Sequence, residues 1–231
     1  GYDAAHKLAI LAALAFNAQV DYANLHVEGI REVTSVDIAF AEELGYRIKL
    51  LGIAKRENGK ISQRVHPVMV KRNVPIANVE GVNNAVVAEG DFVGSILSEG
   101  AGAGAGPTAS AVVADLIDIA RGIRLPTFAV PASALEAATP APMAEHEGGY
   151  YLRLMCLDRP GVIAGVAAAL RDHDISVETL VQRGRGPGGE AVPVVITTHE
   201  TRESAMRGAL AQIEALDAVL EPPRVIRIEA F

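Results

Sequence analysis

From residue 150 onward the chain alternates strand-like and helix-like runs in an order that admits few folds. A largely apolar run at 151–157 passes through Asp158-Arg159-Pro160-Gly161 into a helical run at 162–172, then an extended run at 176–182. A glycine-rich turn at 184–189 leads to a strand at 191–198, a helix at 202–215 and a last strand at 224–229. The order βαββαβ predicts a ferredoxin-like α/β sandwich of about the smallest size that folds independently.

The first half has a different texture. A helix at 3–17 and a second at 35–44, with Ser35 as N-cap and Gly45 as its stop, precede two extended runs at 46–55 and 60–71. These are joined by Arg56-Glu57-Asn58-Gly59, whose Asn-Gly pair is a strong hairpin signal. Two more extended runs, 84–88 and 92–97, make the whole of 46–97 read as largely antiparallel sheet. A helix at 108–121 follows, with Pro107 and Thr108 at its start and Gly122 at its end. Residues 125–149 lose periodicity and turn to Pro, Ala, Thr and Glu, the composition of a linker or loosely packed connection. The expected fold class is therefore mixed α/β: a largely antiparallel sheet with covering helices at 1–124, a linker at 125–148, and a βαββαβ module at 149–231.

Composition removes several function classes. With 231 residues, half of them hydrophobic, the chain can bury two small cores. A net charge of −7 without long basic runs argues against nucleic acid and against an anionic membrane surface. No apolar stretch approaches a membrane span and no signal peptide is visible. The single cysteine, Cys156, excludes an internal disulfide, fits a reducing cytoplasm, and reads as a small hydrophobe in a strand.

Three groups of residues carry possible chemistry. Asp3 and Lys7 lie one turn apart at the start of the first helix and share a face with Ile10, Leu11 and Leu14. Because Ala4, Leu8, Ala12 and Ala15 make the other side apolar too, the helix reads as buried, and a buried amine needs an anionic partner or gives up its proton. An ordinary i,i+4 ion pair, worth about 0.2–0.5 kcal/mol, is the plain alternative. The second group is the run Gly100-Ala101-Gly102-Ala103-Gly104-Ala105-Gly106 ahead of a helix, where glycines allow close approach and free N–H groups attract anions. Its spacing fits the dinucleotide fingerprint only in relaxed form, no βαβ unit surrounds it, and taken alone it reads better as a flexible Ala/Gly connector. The third is the turn carrying Asp158, Gly161 and Val162, which opens a helix whose N–H groups suit a carboxylate. His66, directly before Pro67, reads as a packed or solvated histidine rather than a ligand. The glycines of 183–190 read as a hairpin connection, because a strand follows them.

The wording of these segments resembles a known family. Gly-Tyr-Asp-Ala-Ala-His-Lys-Leu-Ala-Ile-Leu-Ala at 1–12 is similar to the substrate-domain helix of homoserine dehydrogenases, and the glycine-rich run with Pro107-Thr108-Ala109-Ser110 and the helix behind it, Gly100 to Leu116, to their return toward the nucleotide domain. Val65-His66-Pro67 and the run 76–86 resemble that family's sheet region. Leu157-Asp158-Arg159-Pro160-Gly161-Val162 resembles the opening turn of ACT domains, modules that bind amino acids where two copies pack together.

The resemblance implies NAD(P)-dependent interconversion of L-homoserine and L-aspartate 4-semialdehyde in threonine and methionine synthesis. Lys7 would be the proton donor and acceptor, and Asp3 would position Lys7 and the substrate. Gly100, Gly102 and Gly104 would lie near NAD or NADP. Asp158, Gly161 and Val162 would hold a regulatory ligand, with threonine the expected one, in a homo-oligomer. A free lysine titrates near 10.4, so burial would have to lower Lys7 while the nearby acid opposes the shift. The family's Rossmann domain and acidic substrate-binding segment are not among these residues, so the expectation is a C-terminal part, inactive alone. The contrasting function is a non-enzymatic amino-acid sensor built on a dimerisation scaffold.

Overall fold

The computed structural model describes residues 1–184 and 190–231; the glycine-rich connection expected at 184–189 lies, beyond Gly184, outside the described residues. Strands β2 (Tyr46–Glu57) and β3 (Lys60–Lys71) form the expected hairpin, paired without a break from Tyr46↔Lys71 to Glu57↔Lys60. Asn58 and Gly59 turn it with φ of 51° and 76°, the left-handed pair that a tight two-residue hairpin requires.

The other edge of β3 is shared by three short parallel partners. They are β6 (Thr139–Pro140) at Lys60 and Ile61, β1 (His26–Val27) at Arg64 and Val65, and β11 (Arg224–Glu229) at Val68 to Val70. Through β11 the sheet continues into β7 (Glu147–Leu157), β9 (Ala191–Thr198) and β8 (Val177–Gln182), all antiparallel, with β10 (Thr201–Arg202) on β7. The order β11-β7-β9-β8 is what the βαββαβ reading demands, and the nine described strands other than β4 (Asn83–Gly90) and β5 (Gly94–Ala101) make one sheet that spans both halves.

The period of two along each strand sorts the core into two layers. Met69, Tyr151, Val195 and Ile226 point to the face covered by α2 (Ser35–Glu43), where Phe40 and Ala41 meet them. On the same face α1 (Tyr2–Phe16) sets Ala5, Leu8 and Ala9 against Val65. Tyr150, Leu152, Leu154, Val194 and Ile196 point the other way, into α4 (Val162–Arg171) and α5 (Glu203–Glu214). Cys156 is a buried member of this second core, as its strand position suggested.

Four expectations change in detail. The cap of α2 is Thr34, not Ser35: Thr34 Oγ1 accepts from the Asp37 N–H, and Asp37 Oδ2 accepts from the Thr34 N–H at 2.9 Å. The reciprocal box needs its acid three residues after the cap, and Asp37 satisfies that for Thr34 alone. Residues 46–97 form two sheets rather than one, because β4 (Asn83–Gly90) and β5 (Gly94–Ala101) pair only with each other among the described residues. The helix after the glycine run, α3 (Ala105–Ala120), starts three residues early and buries none of its residues. The 125–149 segment is tied to the first half, since Gln19 donates to the Glu136 carbonyl at 2.9 Å and β6 pairs with β3.

Asp37 also joins the halves. Its carboxylate, 1% exposed, accepts from Arg153 Nε at 2.7 Å and from the Tyr151 hydroxyl at 3.1 Å, both on β7. Asp37→Ala would leave the Arg153 guanidinium buried without its partner, so we expect a loss of about 3–5 kcal/mol in urea unfolding. A loss below about 1 kcal/mol would show that this pair holds nothing.

Candidate functional site

Helix α1 buries Ala5, Leu8, Ala9, Ala12 and Ala13, with Leu8 seated on Gly52, where an added Cβ would stand 3.4 Å from it. The Asp3–Lys7 pair lies on the opposite, open side. Lys7 Nζ is 2.8 Å from Asp3 Oδ2, with the side chains 63% and 84% exposed respectively. Lys7 holds the Asp3 carboxyl below the usual carboxylate range, first through its hydrogen bond and then through its charge. Next to the pair, His6 stacks on Tyr22 with ring centroids 4.6 Å apart. The expectation of a helix buried all round is therefore corrected. Ile10, Leu11 and Leu14, the apolar companions of Asp3 and Lys7, are 54%, 42% and 42% exposed. All-round apolarity describes a helix with one covered face and one open apolar face, and the open face carries the ion pair.

The three glycines ahead of α3 differ in what they answer to. At Gly102 a Cβ would fall 1.7 Å from Asn84 Nδ2, so a side chain there would have to push the exposed Asn84 side chain aside. Gly104 is the α3 N-cap at φ 120°, a backbone that L side chains rarely adopt, and no side chain caps the helix. Gly100 has open space around it. At the far end of the sheet, Gly161 caps α4 at φ 91°, with open space where a Cβ would be, and Val162 is the first residue of that helix. Asp158 accepts from Gln182 Nε2 at 3.2 Å, and its N–H donates to the Glu190 carbonyl at 3.1 Å. The Lys7 pair lies on α1, the glycine run between β5 and α3, and the Asp158 turn between β7 and α4. They are three separate places.

Residues 1–117 match the homoserine dehydrogenase family model and residues 150–216 match that of the ACT domain. The chain belongs to the homoserine dehydrogenase family. It is 45% identical to the homoserine dehydrogenase of Neisseria gonorrhoeae, covering 100% of this chain and 54% of that protein, and 43% identical to that of Pseudomonas aeruginosa, covering 99% and 54%. The crystal structure of a homoserine dehydrogenase from Thiobacillus denitrificans superposes with a TM-score of 0.89 at 46% identity, covering 99% of this chain and 53% of that one. A Staphylococcus aureus homoserine dehydrogenase structure gives 0.68 at 27% identity. The chain thus spans about half the length of the curated relatives it matches.

The residues also form a buried polar seam that the sequence does not announce. Arg227 of β11 donates to Glu203 on α5 (2.9 and 2.8 Å) and to Glu28 beside β1 (2.9 and 3.0 Å). Arg64 of β3 donates to Glu229 of β11 at 2.5 and 3.2 Å. His66 is fully buried, its Nδ1 3.0 Å from the Pro67 carbonyl and its Nε2 without a hydrogen-bond partner among the described residues. The only available signal was alternation: Arg227 and Glu229 fall two apart in a strand, a pattern that reads equally as a solvated face.

The electrostatics follow from burial and pairing. At Glu28 burial acts upward, but hydrogen bonds from His26 and Arg227 outweigh it and hold the carboxyl well below its usual range. Glu229 is likewise lowered, burial being overcome by Arg64 and Lys55. Burial pushes His66 and His146 from 6.5 down to about 4. A histidine depressed in the folded state takes up its proton first on unfolding, so its contribution is present above 6.5 and is lost as pH falls through about 4. We expect the urea midpoint to drop steadily between pH 6.5 and 4, with His146→Gln flattening part of the slope. A midpoint constant over that range would contradict these burials.

Proposed function

We propose that this chain supplies the substrate-side and regulatory parts of an NAD(P)-dependent homoserine dehydrogenase, interconverting L-homoserine and L-aspartate 4-semialdehyde in threonine and methionine biosynthesis. The observation that carries the reading is the Asp3–Lys7 pair, presented on the open face of α1 within the segment that matches the family. Oxidising a primary alcohol to an aldehyde removes a hydride from the terminal carbon and a proton from its hydroxyl oxygen.

Lys7 in its neutral form takes that proton, and as the ammonium it returns it in the reverse direction. Asp3, one helical turn away, fixes the amine's position and accepts from it. The apolar Ile10, Leu11 and Leu14 beside the pair provide a surface that excludes water once substrate and cofactor lie against it. The nicotinamide of NAD or NADP supplies or accepts the hydride when bound. The groups of this chain that fit its approach are the open Gly100 and the uncapped start of α3 at Gly104, with Gly102 holding the loop against Asn84.

The ACT module is read as the regulatory half, with threonine as the ligand. Gly161 leaves the first turn of α4 open to a carboxylate, and Asp158 and Val162 border that opening. The working form is a homo-oligomer in the cytoplasm, without nucleic acid or membrane; no helix among the described residues is long and apolar enough to cross a bilayer.

The test is steady-state kinetics on the full-length enzyme. Lys7→Ala should lower kcat by about 10²-fold or more while NADPH affinity stays within about threefold; unchanged turnover removes Lys7 from the chemistry. The 231 residues alone should show no turnover with NADPH and aspartate semialdehyde, because the glycine run joins a hairpin strand to an exposed helix and not the strands of a βαβ unit.

A further inference from the structure

A cleft of about 340 Å³ opens beside the seam, away from both the Lys7 pair and the Asp158 turn. That volume is at the small end of ligand sites, which run from about 300 to 1,000 Å³. Its floor is one face of the β2–β3 hairpin. In the observed register Lys55 stands opposite Ser62 and Glu57 opposite Lys60, and Arg64 follows on the same face. Its wall is the 141–147 segment that leads into β7, with His26 at the edge.

The charges in this cleft are of both signs and incompletely matched. At the inner end Arg64 and Lys55 share one carboxylate, Glu229, at 2.5 and 3.7 Å, so two cations face one anion. Toward the turn, Lys60 is paired with Glu145 at 2.9 Å, and Glu57 has no ion pair among the described residues. Lys55 and Glu57 are two residues apart on a strand, so their Cα atoms stand about 7 Å apart on one face. The second, independent observation is His146. Its side chain is 9% exposed, it lines the cleft, and its Nε2, 3.8 Å from Glu229 Oε1, has no hydrogen-bond partner among the described residues. A buried polar atom left unpaired costs about 1–3 kcal/mol, so a site that leaves one beside a polar cavity is built for something that pairs with it.

We propose that this cleft binds a small free amino acid, its carboxylate held by Lys55 at the Arg64 end, its ammonium by Glu57, and His146 bonding the polar group between them. The lining carries no Phe, Tyr or Trp on which a nucleobase would stack. A simple anion would leave Glu57 facing it with like charge. The site is independent of the regulatory reading given to the Asp158 turn, which sits at the other end of the shared sheet.

Isothermal titration of the full chain with glycine, L-serine and L-threonine, against acetate and methylammonium as half-ligands, tests it. At least one amino acid should bind saturably and at least tenfold more tightly than either half-ligand. Lys55→Met and Glu57→Gln should each weaken it at least tenfold. Amide chemical shifts of Lys60, Ser62 and Glu145 should move on titrating the unsubstituted protein, a readout that no folding defect can confound. Binding of acetate as tight as that of the amino acids, or no binding at all, overturns the proposal. Loss of binding in Asp158→Ala but not in the Lys55 or Glu57 variants assigns the ligand to the Asp158 turn and overturns it equally.

Discussion

The guanidinium of Arg227 is the point on which the two halves of the chain meet. It sits on β11, the strand that completes the C-terminal module and at the same time adds to the parallel edge of β3. Four hydrogen bonds leave it, two to Glu203 at the start of α5 and two to Glu28 in the first half. Each partner is held ionised by it against the pull of burial. Removing any one would leave an uncompensated charge between packed layers, which is why such networks stand or fall together. The Arg64–Glu229 pair repeats the connection one step along the same face, and Arg153–Asp37 repeats it on the opposite face.

This arrangement gives the catalytic and regulatory readings a common frame. Helix α1 leans on β2 and β3 through Leu8 and Ala5, and Gly1 at its start packs against Val27, Glu28 and Val65, where an added Cβ would meet all three at 3.2 Å. Glu28 donates its N–H to the Val65 carbonyl at 2.7 Å and gives its carboxylate to Arg227. Glu28, whose carbonyl borders Gly1 at the start of the Asp3–Lys7 helix, is therefore the same residue whose carboxylate Arg227 holds.

How much of this was legible in the residues depends on the range of the interaction. The Asn58-Gly59 turn and the βαββαβ order are local signals and were read with nearly the observed bounds, as was the Asp3–Lys7 pair, which follows from helical spacing. The cap on α2 was misplaced by one because Thr34 and Ser35 are equivalent until the position of Asp37 is counted. The pairing of β11 with β3 joins residues more than 150 apart in sequence and leaves no local trace. Burial of charge was invisible for a related reason: Arg64, Arg227 and Glu229 occupy alternate strand positions that only α5 and the 141–147 segment turn from a solvated face into an enclosed one. The open face of α1 misled in the opposite sense, since three exposed apolar side chains look like core when read as a list.

The central physical claim is that the substrate-side half and the ACT half share one sheet and so unfold as one body. Differential scanning calorimetry of the chain tests it most directly. A single transition whose calorimetric and van't Hoff enthalpies agree is the expected result, split into two by Arg227→Met. Two separate transitions in the unsubstituted chain, one from the first half and one from the ACT module, would contradict it.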